Sequence, residues 1–224
     1  MLRCENLSKA FGDKAALRQA SLHIAPGEIV GLVGPSGSGK STLARLLCGI
    51  LKPDSGEIYL HDRKLADPAM DYDRPAGLAI QMVYQQPYLS LDPNRKLGRQ
   101  MQEIIRYQGF APDRGAEKDL IRASLREVGL GENILRHRPG QISGGEAQRF
   151  TLALCLLYDP RVLVMDEATS MLDVSTAANV IALVRETMLP RGGSVLFISH
   201  DRAVTEHICH RIYRLKDGCL EEIP

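Results

Sequence analysis

Residues 34–43 read Gly-Pro-Ser-Gly-Ser-Gly-Lys-Ser-Thr-Leu and follow directly on the apolar run Glu28-Ile29-Val30-Gly31-Leu32-Val33. An apolar run of that length suits a strand buried on both faces. The loop after it must then turn sharply. Gly34, Gly37 and Gly39 let the backbone do so with successive N–H groups pointing inward at an anion, and a helix starting near Lys40 adds its positive dipole end. Gly34 to Ser41 fits G-x-x-x-x-G-K-[ST] at every fixed position. In that pattern the backbone of Gly34, Pro35, Ser36, Gly37, Ser38 and Gly39 cradles the phosphates of a nucleoside triphosphate, with Thr42 beside it. Lys40 reaches the β- and γ-phosphates and the Ser41 hydroxyl ligates Mg²⁺. The competing reading is a glycine turn that only links strand to helix; the strand before and helix after favour the phosphates.

A strand–loop–helix unit of this kind commits the chain to a layered α/β fold, and the remaining pattern agrees. Strand-like stretches recur at Leu17–Ile24, Glu28–Val33, Glu57–Leu60, Leu78–Tyr84, Arg161–Met165, Ser194–Ser199 and Ile212–Leu215. Helical patterns run over Lys40–Gly49, Val174–Met188 and Arg202–Cys209. Between Pro87 and Asp159 no strand is expected. Arg99–Tyr107, Ala116–Val128 and Gly145–Leu157 read as helices, so a helical block is inserted into the α/β core. Pro53-Asp54-Ser55-Gly56 and Lys216-Asp217-Gly218 carry hairpin-type turn chemistry. The expected organisation is one domain over 1–224, with 1–86 and 160–224 as core and 87–159 as a helical subdomain.

Charge narrows the partners. With 28 basic and 27 acidic side chains the formal net charge is +1, which argues against a general nucleic-acid coat. The cysteines at 4, 48, 155, 209 and 219 contain no C-x-x-C pair and read as reduced thiols. Arg3 and Glu5 interrupt the start, so no signal peptide is expected. No apolar run approaches the ~20 residues a bilayer-spanning helix needs; any membrane role falls to a partner.

Two further groups bear on chemistry. Arg161-Val162-Leu163-Val164-Met165-Asp166-Glu167 is an apolar strand ending in two acids. Asp166 can bind Mg²⁺, directly or through water, beside the phosphates. Glu167 then points where an attacking water would sit, which suits a general base. Alone, the pair reads equally as a solvated strand end. Ser143-Gly144-Gly145-Glu146 is a second glycine turn opening a helix. It has capping-box spacing, and a capped helix start with two glycines is another anion site; the two readings are compatible.

In this constellation the sequence resembles the ATP-binding subunit of an ABC transporter over nearly its whole length. The phosphate loop is similar to Gly34–Ser41, and the signature motif to Ser143-Gly144-Gly145-Glu146, with Glu where Gln is commoner. The acidic strand resembles Val162–Glu167, and the D-loop resembles Ser170-Met171-Leu172-Asp173. His200 matches the switch histidine, Gln85 the Q-loop glutamine (with Gln86 as the alternative register), and Phe11 the adenine-stacking aromatic. The resemblance implies a P-loop NTPase core of the ABC ATPase type, with an inserted helical subdomain and an N-terminal antiparallel β part. It implies ATP and Mg²⁺, with Ser41, Gln85 and Asp166 at the metal, Glu167 as base, His200 at the γ-phosphate positioning that base, and Gln85 as a metal or water contact and a sensor coupled to the membrane subunit. Asp173 and the 143–146 turn would serve the nucleotide of a second ATP-binding subunit, a copy or a paralogue. Read singly, Phe11 is also a core aromatic, Gln85 a polar strand end and His200 a cap. His207 and His210 flank Cys209, but two convergent ligands fit a solvated helix face better than a metal site.

Tyr84-Gln85-Gln86-Pro87-Tyr88-Leu89-Ser90-Leu91-Asp92-Pro93 is similar to the Q-loop of importers for oligopeptides, dipeptides and nickel, as is Asp173-Val174-Ser175. There are two departures: the sequence stops at Pro224 without the C-terminal extension many of that group carry, and Ala168 stands where they often have Pro. The expected partners are integral membrane permease subunits, a second ATP-binding subunit and, indirectly, a substrate-binding protein. The expected location is peripheral, on the cytoplasmic face of the cell membrane. The rival within the family is a soluble ABC ATPase of DNA repair or translation, which usually carries long insertions or paired cassettes. A GTPase would need an N-K-x-D motif, and none is found.

Overall fold

The computed structural model describes residues 1–223. They fall into two compact units: 1–82, 160–167 and 188–223 form the first, and 83–159 with 168–187 the second.

The first unit is built on two sheets. An antiparallel sheet is formed by β1 (Leu2–Phe11), β2 (Lys14–Ile24), β4 (Ser55–Leu60) and β5 (Arg63–Ala66) in the order β2-β1-β4-β5. The other sheet contains β3 (Ile29–Val33), β6 (Ile80–Val83), β7 (Val162–Asp166), β8 (Ser194–Ile198), β9 (Arg211–Lys216) and β10 (Cys219–Ile223), ordered β10-β9-β3-β8-β7-β6. β3 runs parallel to β8 and β9, and β7 parallel to β8. Every residue of β3, β7 and β8 is buried, the state their continuous apolar runs require. Helices α1 (Lys40–Leu47), α2 (Arg74–Gly77) and α7 (Arg202–Ile208) complete this unit.

Several sequence expectations are corrected here. β1 is absent from the strand-like runs of the sequence, although Phe11 reads there as a strand-end aromatic, because its alternation slips: the register with β2 shifts between Cys4 and Leu7, where Asn6 takes φ 52°. A bulge there lets Leu2, Cys4 and Leu7 all reach the core despite the odd spacing. Gln19, φ 48°, does the same in β2 between buried Leu17 and Ala20. Pro53–Gly56 is not a hairpin; the chain arrives there from α1 and enters β4. Gly56, φ 87°, is required because a Cβ would stand 2.4 Å from the Glu5 carbonyl oxygen of the paired strand. The strand expected from Leu78 starts only at Ile80, since Leu78 closes α2. Lys216–Gly218 is the expected turn: Lys216 pairs Cys219, and Asp217 and Gly218 both take positive φ (51° and 79°), the geometry of a two-residue type I′ hairpin.

The second unit is helical. α3 (Leu97–Gln108), α4 (Arg114–Glu127), α5 (Gly144–Leu156) and α6 (Val174–Met188) account for most of it. α3 buries Leu97, Met101 and Ile105 at four-residue spacing, one helical stripe. α5 is buried on most sides, through Ala147, Gln148, Phe150, Thr151, Leu152, Ala153, Leu154 and Leu156. Arg106 reaches from α3 to buried Glu117 of α4 with two hydrogen bonds, 2.7 and 2.9 Å.

Candidate functional site: the phosphate loop and the acids beside it

β3 delivers the loop and α1 receives it. Gly34 (φ 154°) and Gly39 (φ 111°) are held where no Cβ fits: one at Gly34 would lie 2.2 Å from the Leu215 carbonyl oxygen, one at Gly39 2.4 Å from that of Ala16. The loop is therefore pressed between β9 and β2. Gly39 offers α1 no side-chain cap, which leaves the first-turn N–H groups of α1 without one. Ser38 Oγ is buried without a hydrogen-bond partner. Open N–H groups, an orphaned hydroxyl and a lysine at one helix start fit a polyanion.

Lys40 is almost fully buried, 5% exposed. Its Nζ donates to the carbonyl oxygens of Gly34 (2.8 Å) and Pro35 (3.1 Å) and lies 3.8 Å from Glu167 Oε1. The Ser41 hydroxyl donates to Asp166 Oδ1 at 3.1 Å. Burial raises the Asp166 carboxyl above its usual range; the Ser41 bond opposes this and the Glu167 charge adds to it. Glu167 follows β7 with φ 49°, a left-handed conformation that costs a non-glycine residue of order 1 kcal/mol or more. Its N–H is tied to the Ile198 carbonyl of β8 at 3.1 Å. The strained residue thereby places its carboxylate between Lys40 and His200, whose Nδ1 is 3.8 Å from Oε2. Lys40, Ser41, Asp166, Glu167 and His200 thus gather in one place from three separate segments of chain.

Phe11 ends β1 in this unit and is 53% exposed. His210 Nδ1 accepts the Ile29 N–H at 3.0 Å, and among the described residues no three His, Cys, Asp or Glu side chains are grouped so as to hold a metal ion. An open cavity of about 410 Å³, lined by Gly49, Ile50, Lys52, Met70, Tyr72 and Arg74 among others, surrounds the far end of α1 and is separate from this chemistry.

In the helical unit Gln85 Nε2 donates to Ser170 Oγ at 3.1 Å, a partnership the sequence did not signal. Ser143 caps α5 in a full capping box: its N–H and hydroxyl both donate to Glu146 Oε2 at 2.9 Å, and its Oγ accepts the Glu146 N–H at 3.2 Å. These bonds to Ser143 hold the Glu146 carboxyl below its ordinary range. A Cβ on Gly144 would meet only open space, whereas one on Gly145 would touch Thr176 Cγ2 at 3.0 Å. Thr176 is in turn held by Asp173, through its hydroxyl at 2.6 Å and its N–H at 3.0 Å. The signature-like turn and the 170–173 loop are thus neighbours.

The family profile described as "ABC transporter" matches residues 17–170. The chain belongs to the ABC transporter family. The nickel import ATP-binding protein NikE of Rhodospirillum rubrum is 39% identical to this cassette over 214 residues, covering 94% of the cassette and 76% of that relative. The oligopeptide transport ATP-binding protein OppF of Salmonella typhimurium is 35% identical over 197 residues; these are 88% of the cassette but only 59% of OppF. Among solved structures, the dimeric post-hydrolysis state of the ATP-binding cassette MJ0796 bound to ADP and Pi superposes with a TM-score of 0.82 at 27% identity, covering 100% of this cassette and 99% of that chain. The cassette is accordingly a nucleotide-binding ATPase unit with the α/β ABC fold. No helix among its described residues is long and apolar enough to cross a membrane.

Proposed function

We propose that the cassette hydrolyses ATP to energise an importer of peptides or nickel chelates. The observation that carries this is the cluster of Lys40, Ser41, Asp166, Glu167 and His200 around the open start of α1. The loop N–H groups and Lys40 hold the triphosphate, with the ammonium exchanging the Gly34 and Pro35 carbonyls for phosphate oxygens. Ser41 and Asp166 present only oxygen donors, the ligand type of a hard cation. When bound, Mg²⁺ neutralises charge that develops on the phosphates. Glu167 takes the proton of the attacking water, and His200 orients the reacting groups. Gln85 senses this state and couples it to the permease.

The names of the relatives support the import reading, and the dimeric neighbour supports a paired cassette. In such a pair the 143–146 turn and Asp173 of one chain complete the site on the other, which permits hydrolysis only when the two close. The cassette then works peripherally at the cytoplasmic face, on permease subunits that receive cargo from a substrate-binding protein. Glu167→Gln tests the core of this: ATP binding is retained while turnover falls about 10²- to 10⁴-fold. Hydrolysis at the parent rate would remove Glu167 from the base role.

A further inference from the structure

Phe11 is a phenylalanine with about half its surface in water, yet its ring is not left to itself. Lys9, two residues earlier in β1, holds its Nζ 5.9 Å from the ring centroid. A solvent-facing lysine would normally sweep freely; this one has only 16% of its side chain exposed and is pinned by Asp54 Oδ1 at 2.6 Å. Asp54 is itself fixed to the same stretch of β1. Its other oxygen accepts the Ala10 N–H at 2.8 Å, and its own N–H donates to the Ser8 carbonyl at 3.0 Å. Those bonds, with the Lys9 one foremost, lower the pKa of its carboxyl. Backbone, carboxylate and ammonium therefore form a rigid bracket beside one ring.

We propose that Lys9, held by Asp54, is a positioning residue for the nucleobase: it fixes the Phe11 ring by a cation–π contact and presents the ring as a platform for a flat heteroaromatic base. The inference rests on the stacking role of Phe11 and goes beyond it in assigning the Lys9–Asp54 pair to base binding. A cation near one side of an aromatic ring draws on its π-electrons and restricts its rotation. Stacking on a ring already ordered costs less entropy than stacking on a mobile one. The phosphates are held elsewhere, by the Lys40 loop, so the effect belongs to the base alone.

The test compares ATP with inorganic tripolyphosphate, which lacks a base, by calorimetric titration of the full chain. Lys9→Met keeps the aliphatic stem and removes the charge. It is expected to weaken ATP binding about two- to five-fold and to leave tripolyphosphate affinity unchanged. Lys9→Arg, which retains a cation, restores ATP affinity. Equal losses for both ligands would show a general structural role and overturn the proposal, as would unchanged ATP affinity in Lys9→Met. Phe11→Ala separates the two layers. If it weakens ATP while Lys9→Met does not, only the Lys9 assignment fails; if Phe11→Ala leaves ATP affinity intact, the platform and the proposal fall together.

Discussion

Replacing Lys40 by alanine separates two jobs that one side chain performs. Without nucleotide its ammonium satisfies the Gly34 carbonyl at 2.8 Å and the Pro35 carbonyl at 3.1 Å, and it faces Glu167 at 3.8 Å. Of the two carbonyls, Pro35 keeps a second donor, the Ser38 N–H at 3.2 Å. Alanine therefore strands essentially one acceptor, a cost of about 1–3 kcal/mol. Removing an ammonium that is 5% exposed recovers part of this through its desolvation. Folding stability should fall by no more than the lower part of that range. Nucleotide binding loses more. Truncating one partner of a buried, hydrogen-bonded charge pair costs about 2–5 kcal/mol, or roughly thirty- to several-thousand-fold in affinity. Urea denaturation reads the first quantity and calorimetric titration with ATP the second. Should ATP bind the variant within two-fold of the parent, the loop is not a phosphate site and the reasoning from its geometry is wrong.

Asp166→Asn is expected to stabilise the nucleotide-free chain at pH 7. The folded pKa of Asp166 is raised, so its ionisation costs stability as pH rises through that value. The gain from Asn should shrink as pH falls and vanish below the ordinary 3.8, as thermal melts across pH would show; a gain that persists at pH 3 contradicts this. Gly77→Ala puts a Cβ 2.1 Å from the ring of Tyr72, which also abuts Gly49 and donates to the Leu47 carbonyl at 2.8 Å. It should cost about 1–3 kcal/mol in urea melts, and an unchanged midpoint would mean the ring is free to move. Ser143→Arg should abolish hydrolysis but spare ATP binding to the chain's own loop, and mixing it with Lys40→Ala should restore part of the activity. Normal hydrolysis by Ser143→Arg alone would reduce the 143–146 turn to a helix cap.

The phosphate loop was legible because it is local: spacing, glycines and lysine lie within eight residues that the backbone alone brings together. The buried strands were legible for a related reason, since a strand covered on both faces admits only apolar residues. β1 was hidden because a bulge at Asn6 shifts its register, and a period-two pattern cannot be followed through an inserted residue. Gly56 carried turn chemistry for a different reason, close approach to the backbone of the neighbouring strand.

Pattern along the chain names the groups that could do chemistry: a lysine and a hydroxyl at a helix start, two carboxylates at the end of an apolar strand, and a histidine after another. The tertiary structure alone decided how they stand. The Ser41–Asp166 bond joins residues on α1 and β7, and the Glu167–His200 approach depends on β7 and β8 lying side by side in parallel register. No spacing rule encodes the left-handed turn at Glu167, because it arises from the tie of its N–H to the end of β8. The same holds for Lys9: in sequence it is an ordinary charge on a strand, and only the pairing of β1 with β4 brings Asp54 alongside to pin it beside Phe11. Local pattern fixes chemical identity, whereas the angles and distances that make a site come from strand pairing between segments far apart in the chain.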